Sequence, residues 1–246
     1  MRIVLPPSET KTTGGRDESH LEWDQLALPE LTSVRQAIAE DLVALAADAE
    51  ATKKSLGLGA KGDEWVLANQ ELLNSPVMPA IHRYTGVLFD ALDVEGLSPE
   101  ASTGMTESLW LFSALFGPLR AVDPIPRYRL SFDSKLPGAN IKSRWQPHAE
   151  QIWADDFTID LRSEGYRALA PLPKGTGVFI RVVKDFDQAA AVGHANKGAK
   201  GRLVRDLVTS KATIGSADEL IDWARSHGWR MADAPGAPGE VLLALS

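Results

Sequence analysis

The chain has no cysteine among its 246 residues. That absence excludes disulfides, thiolate metal sites, iron–sulfur clusters and cysteine nucleophiles. It also has no run of about 18 apolar residues, so no segment reads as a membrane-spanning helix and no membrane partner is expected. The opening MRIVLPPSETK turns polar too soon to hold the core of a signal peptide, and the expected compartment is the cytoplasm. There is no Gly-x-Ser-x-Gly elbow, no dinucleotide fingerprint and no Walker loop, because Lys61 is followed by Gly62. The five histidines (His20, His82, His148, His194 and His227) form no H-x-x-x-H pair, so no metal and no cofactor is expected. Basic charge is in the minority. A net charge of −7 argues against a surface that coats nucleic acid throughout.

The basic residues that do occur are clustered. Arg127, Arg129, Lys135, Lys142 and Arg144 stand against Asp133 alone, and Lys197, Lys200, Arg202, Arg205 and Lys211 against Asp206. Charge attraction is screened beyond roughly 8 Å at physiological salt, so a local basic face can exist on an acidic protein. The richest stretch is Ser108–Leu130, SLWLFSALFGPLRAVDPIPRYRL. An apolar run breaks at Gly117-Pro118 and delivers Arg120, Arg127 and Arg129, with Tyr128 between the last two. Guanidinium forks match phosphate or carboxylate, although such charges also serve as solvated loop residues.

Hydrophobic spacing gives the elements. Arg2–Leu5 reads as a strand ended by Pro6-Pro7, and Leu31, Val34, Ile38, Leu42 and Leu45 mark a helix from Pro29 to about Ala49. Further helices are expected over Asp63–Asn74, from Ser98-Pro99, over Asn140–Trp153 and over Lys200–Val208. Another starts at the capping box Ser216-x-x-Glu219 and stops at Gly228. Leu109–Phe116, Phe157–Leu161 and Gly177–Val183 read as strands, and two more flank the Ala234–Gly239 loop. Helices and strands intermix without repeats or a long linker. One mixed α/β domain over residues 1–246 is the economical reading.

Four pieces taken together are specific: LPPSETKT, RYTGVLFDAL, SALFGPLRAVDPIPRYRL and NKGAKGRLVRDL, in that order. The pattern resembles the YaaA family of bacterial peroxide-stress proteins over nearly the whole length. The resemblance implies an α+β, single mixed α/β domain of the cantaloupe-like type, with a basic cleft and a helix-hairpin-helix-like insertion. It also implies a cytoplasmic protein that binds duplex or distorted DNA and limits peroxide damage. The implied cleft residues are Ser8, Lys11, Tyr84, Thr85, Gly86, Arg120, Tyr128, Arg129, Lys197, Lys200, Gly201, Arg202 and Arg205. The hairpin would fall at Leu56–Gly59. The chain reads Ser163-Glu164-Gly165-Tyr166-Arg167 where the pattern differs, so no role is carried onto Glu164 or Tyr166.

The residues themselves leave alternatives open. Amides of Gly57 to Gly62 offer close approach to a phosphate, or simply make an interhelical turn. Asn196–Arg202 combines a helix start with cationic side chains, suited to an anion or to solvent. Tyr84 and Tyr128 offer stacking faces for a base or sugar, or packing aromatics. Trp65, Trp110, Trp153 and Trp223 lie among apolar neighbours and read as core, whereas Trp145 is the one placed to face a cleft. Glu9, Glu107, Asp123 and Asp160 can serve as acids or bases only if they converge, and Asp123 is expected to hold Arg120 or Arg129 in a bidentate pair. Three functions follow: phosphate contacts to DNA with little base specificity, an enzyme acting on a small anionic metabolite, a nucleobase or phosphorylated compound, in the same cleft, or a scaffold or iron-handling partner, the last weakened because hard or borderline ligands are not clustered.

Overall fold

The computed structural model describes residues 1–59, 62–138, 140–153, 156–191 and 193–245. Among these, ten strands follow in chain order: β1 (Arg2–Leu5), β2 (Met78–Pro79), β3 (Leu109–Ser113), β4 (Gly117–Arg120) and β5 (Pro124–Ile125), then β6 (Thr158–Asp160), β7 (Gly177–Asp185), β8 (Gln188–Ala191), β9 (Arg230–Asp233) and β10 (Glu240–Ala244). Eight of them make one sheet in the order β4-β3-β1-β6-β7-β10-β9, with β8 paired to the far end of β7. β2 and β5 form a separate two-stranded ladder.

Five central strands, β3-β1-β6-β7-β10, are parallel, and antiparallel strands close the edges. Ile3 lies opposite both Leu109 and Ile159. Strands covered on both faces need continuous apolar runs, which is why Ile3, Val4 and Leu5 are wholly buried. The mixed α/β architecture agrees with the sequence reading, but the sheet is more parallel than an α+β label implies. From β1 the chain leaves to one side through β3 and returns on the other through β6. Such a switch point opens a crevice beyond the carboxyl ends of the strands.

The helices follow their caps. Ser98 accepts from the Ala101 amide and Ser216 from the Glu219 amide, each closing a first turn. Helix Thr32–Ala46 follows a 3-10 turn at Pro29–Leu31. The expected helix Asn140–Trp153 is interrupted: Ile141–Trp145 and Ala149–Ile152 flank a 3-10 turn at Gln146–His148. Pro147 supplies no amide to an α-helical ladder. Helix Gly193–Thr209 packs tightly on Val87–Leu92, because a side-chain carbon at Gly201 would stand 2.2 Å from the Leu88 carbonyl oxygen. Three wholly buried arginines brace loops by donating to carbonyls. Arg35 serves Ala27, Leu28, Phe116 and Pro118. Arg83 serves Thr12, Gly14, Pro76 and Ile125. Arg162 grips Asp160 bidentately and the Ala170 carbonyl. Among the described residues no helix is long and apolar enough to cross a membrane.

Candidate functional site

The loop after β1 is turned inward. Pro6 and Pro7 donate no ladder bond, so pairing stops and the chain folds back. Lys11 forms an isolated antiparallel bridge with Tyr84, extended by Thr12 N–H to the Arg83 carbonyl at 2.9 Å. The Lys11 amine is thereby carried inside, where only 7% of the residue is exposed. Its Nζ donates to the Ser8 carbonyl at 2.8 Å and more weakly to that of Glu9 at 3.5 Å. It lies 4.3 Å from the centre of the Tyr128 ring, 5.2 Å from Tyr84 and 5.9 Å from Trp65. The nearby Glu9 carboxylate is engaged by Arg129 at 2.8 Å. Burial pushes the amine well below the usual lysine range, and the charges of Arg129, Arg127 and Arg83 add to this against the opposing pull of Glu9.

A chain of hydroxyls lies beside it. Ser113, the last residue of β3, accepts from the Leu115 and Phe116 amides, both at 3.0 Å. Those bonds use both of its lone pairs, so its proton must go to the Tyr128 hydroxyl 2.6 Å away. Tyr128 in turn donates to Tyr84 at 2.7 Å. The Tyr84 proton then ends the chain. Burial is the main cause that keeps both phenols protonated above the ordinary tyrosine range. The sequence has three tyrosines, and Tyr166, buried with Tyr128 raising it further, completes the group.

A cleft of ≈330 Å³ lies beside this cluster, lined by Glu9, Thr10, Trp65, Arg129 and the turn Gly57–Gly59, and Trp65 stands between it and the Lys11 amine. That turn joins helix Ala49–Ser55 to helix Asp63–Gln70, with Gly57 at φ 61°. Asn69, wholly buried, clamps Arg129 by accepting its amide at 2.8 Å and donating to its carbonyl at 3.0 Å. Arg127 stacks 4.0 Å over Trp65 and pairs with Glu64. On the other side of the loop, Thr85 donates to Thr10 at 2.9 Å and Thr10 shares a 3.2 Å bond with Ser8. Gly86, at φ 101°, has the Ser8 and Thr10 hydroxyl oxygens 3.7 Å from where a side chain would start.

Ser8, Lys11, Tyr84, Thr85, Gly86, Tyr128 and Arg129 are thus brought together. The other expected residues divide. β4 runs antiparallel to β3, so Arg120 sits beside Trp110, near the opposite end of β3 from Ser113. It does not join the cluster, and the bidentate pair expected of Asp123 is absent. Asp123 instead accepts the Ala27 and Arg120 amides, with the Arg120 Nε at 3.7 Å. Arg205 is spent on the Leu92, Asp93 and Gly96 carbonyls and the Asp93 carboxylate. Gly201 serves helix packing. Lys200 is buried and donates to the Leu161 and Arg162 carbonyls at 2.9 and 3.2 Å, and burial lowers it to about 8. Lys197 and Arg202 are exposed, with no ion-pair partner among the described residues. An Arg202 nitrogen lies 3.4 Å from the Gly198 side-chain position, beside Val87 and so near Gly86.

Several readings are corrected. Tyr84 and Tyr128 cannot stack on a base: both are buried, against Phe89 and Phe116 respectively. Trp145 faces no cleft. It is wholly buried, donates to the Ala114 carbonyl and fills the space beside Gly117. Trp65, read as core, is half-buried and lines the cleft. Trp110 and Trp223 are also only partly buried. The basic run 127–144 is answered across the fold by Glu64, Glu9 and Asp41, the partners of Arg127, Arg129 and Arg144. Ser113, Thr10 and Asn69 were not anticipated. Ser113 heads the SALFGPLR string, and that was the signal available.

A larger cavity of ≈600 Å³ lies at the amino ends of the strands, beside Met1 and Asp156. Its titratable side chains, Glu100, Glu107, Asp156 and Lys211, are all exposed, so it lacks the desolvated groups that chemistry requires. Among the described residues no three His, Cys, Asp or Glu side chains come together to hold a metal.

The profile of the family described as peroxide stress protein YaaA matches residues 1–234. The chain belongs to this family. It is similar to a UPF0246 protein of Corynebacterium efficiens, 42% identical with 93% of each chain covered. It is 40% identical to another from Corynebacterium glutamicum over the whole of both chains. A Streptomyces coelicolor relative is 39% identical over 97% of this chain and 95% of its own. The matched residues include every member of the Lys11 cluster.

Proposed function

We propose that this YaaA-family chain binds a small anionic ligand in the cleft beside Lys11 and takes part in its chemistry, as a cytoplasmic component of the peroxide-stress response. One observation carries the reading: a desolvated amine and a directed hydroxyl chain lie next to a cleft lined by Glu9, Thr10, Trp65 and Arg129. A volume near 330 Å³ suits a small molecule, and the carboxyl ends of parallel strands are where such sites form. Arg129 is the anchor for the anion. Its Asn69 clamp fixes the backbone, and its Glu9 partner is exposed and able to yield. The setting in peroxide stress comes from the family's description.

The test is thermal unfolding with a panel of nucleotides, sugar phosphates and oxo acids, with mass spectrometry of gently purified protein for a retained ligand. We expect at least one anionic compound to raise the midpoint, and Arg129→Gln to remove the rise. No stabilisation by any anion and no retained ligand would overturn the reading.

A second reading, DNA binding through phosphates, is favoured by Lys197 and Arg202, which are exposed with no ion-pair partner among the described residues, an Arg202 nitrogen lying with Val87 near Gly198. The helix–glycine turn–helix at Ala49–Gln70 would act as the helix-hairpin-helix element of a YaaA-type fold. Contacts to several phosphates demand a steep loss of affinity with salt. Fluorescence titration with duplex and bubble DNA measures that slope, and absence of binding at low salt would remove this reading alone.

A further inference from the structure

We infer that Lys11 is a nucleophile that forms a reversible imine with an aldehyde or ketone carrying an anionic group. The inference deepens the small-ligand reading and rests on it.

The geometry around the amine carries the inference. Once deprotonated, the amine has two N–H donors, and the chain supplies two acceptors for them, the Ser8 and Glu9 carbonyls at 2.8 and 3.5 Å. The lone pair of that form is left for a carbonyl carbon. Among the described residues no carboxylate forms an ion pair with the amine, and Glu9, the one whose charge it feels, is engaged by Arg129. Rings of Tyr84, Tyr128 and Trp65 surround it and keep water away. A lysine desolvated beside other cations is the setting in which the amine becomes nucleophilic near neutral pH, and the direction of its shift agrees. Arg129 borders the cleft and supplies the fork for a carboxylate or phosphate on the same molecule.

The hydroxyl chain supplies the protons. The Nζ lone pair attacks the carbonyl carbon, and the C=O π pair moves to oxygen, which takes a proton from Tyr84. Tyr84 is resupplied by Tyr128 and, behind it, Ser113. The nitrogen, now bonded to carbon, returns a proton to the chain. The carbinolamine oxygen then leaves as water with a second proton from the chain while the nitrogen pair forms C=N, and the nitrogen returns its remaining proton to the chain. Amine and carbonyl give imine and water, with no net proton consumed and no oxidant or reductant required.

The experiment uses the full chain with sodium cyanoborohydride and either glyoxylate or glycolaldehyde phosphate. Peptide mass mapping then locates the reduced adduct. We expect modification at Lys11 to outpace that at exposed Lys197 by about tenfold or more at neutral pH. Inorganic phosphate should slow the Lys11 reaction only, and Lys11→Arg should abolish it. The two probes separate a carboxylate from a phosphate as the anchored group. Adducts spread evenly over surface lysines, with Lys11 unmodified, would overturn the inference. Midpoints measured with inorganic phosphate on the same preparation keep the two readings apart. A stabilised protein without a Lys11 adduct removes the imine alone, whereas no stabilisation and no adduct remove both. The wild-type map stands even if a Lys11 variant fails to fold.

Discussion

Lys11 and Lys200 are both buried, and each donates to two backbone carbonyls. Each is also lowered from the ordinary lysine value, with burial as the first cause. Their surroundings then diverge. Lys200 feels the Asp160 carboxylate at the end of β6 and ties helix Gly193–Thr209 to the loop that follows that strand. Lys11 has arginine charges around it, a hydroxyl chain alongside and a cleft next to it. Desolvation alone therefore does not make a site. What an amine can do depends on whether its neighbours leave it a lone pair, a proton route and an approach.

Exchanging the two lysines tests this most sharply. Lys11→Met should remove reductive labelling in the cleft altogether, whereas Lys200→Met should leave the Lys11 rate within about twofold, because Lys200 acts on another part of the fold. Equal losses in both variants, read by peptide mapping, would erase the distinction. Next in size, Tyr128→Phe cuts the path from Ser113 to Tyr84. Lys11 labelling should slow by about 10²-fold, the usual scale of a positioned proton donor. Single-turnover labelling rates check it, and unfolding should cost about 1–3 kcal/mol for the unpaired Ser113 hydroxyl.

The pH dependence of stability separates the tether from the site. Lys200 holds fewer protons folded than unfolded between about pH 8 and its ordinary value of 10.5. Its burial penalty is full below pH 8 and is relieved as pH rises, so stability from this group increases with pH. Between pH 8 and 10 the wild type should gain roughly 2–3 kcal/mol over Lys200→Met in urea unfolding. A flat difference would show that the amine stays charged in the folded chain. The smallest effects belong to the glycines beside these lysines. Gly201→Ala, which meets the Leu88 carbonyl, should cost about 1–3 kcal/mol. Gly198→Ala, with no neighbour closer than 3.4 Å, should be neutral or gain up to about 1 kcal/mol from helix propensity. Thermal midpoints of the pair rank them.

Much of the sheet was legible because parallel strands must be apolar on both faces, and RIVL, LWLFS and GVFIRVV carry that mark. The caps at Ser98 and Ser216 were legible for the same local reason, a hydroxyl set before a helical run. The site was only half legible. Tyr84, Tyr128 and Lys11 are named by motif, but that the two phenols bond each other and shield an amine depends on contacts between residues 44 apart and more. Arg120 shows the opposite failure. Its segment is among the most distinctive in the chain, yet a two-strand register sends it away from its motif partners. Arg205 and Lys200 look like exposed cations in one dimension, and only the helix ends and strand ends they meet reveal them as braces.

The position of β1 has a consequence for how the molecule assembles. Its four residues occupy the middle of the sheet, yet the strands that flank them, β3 and β6, lie more than a hundred residues further along the chain. During synthesis this apolar segment waits without partners while loops, helices and the arginine-rich stretch emerge. Closure of such long loops slows folding. The Lys11 loop, which hangs directly from β1, reaches its final shape only when the sheet shuts around that strand, so this cluster is among the last parts of the protein to become competent.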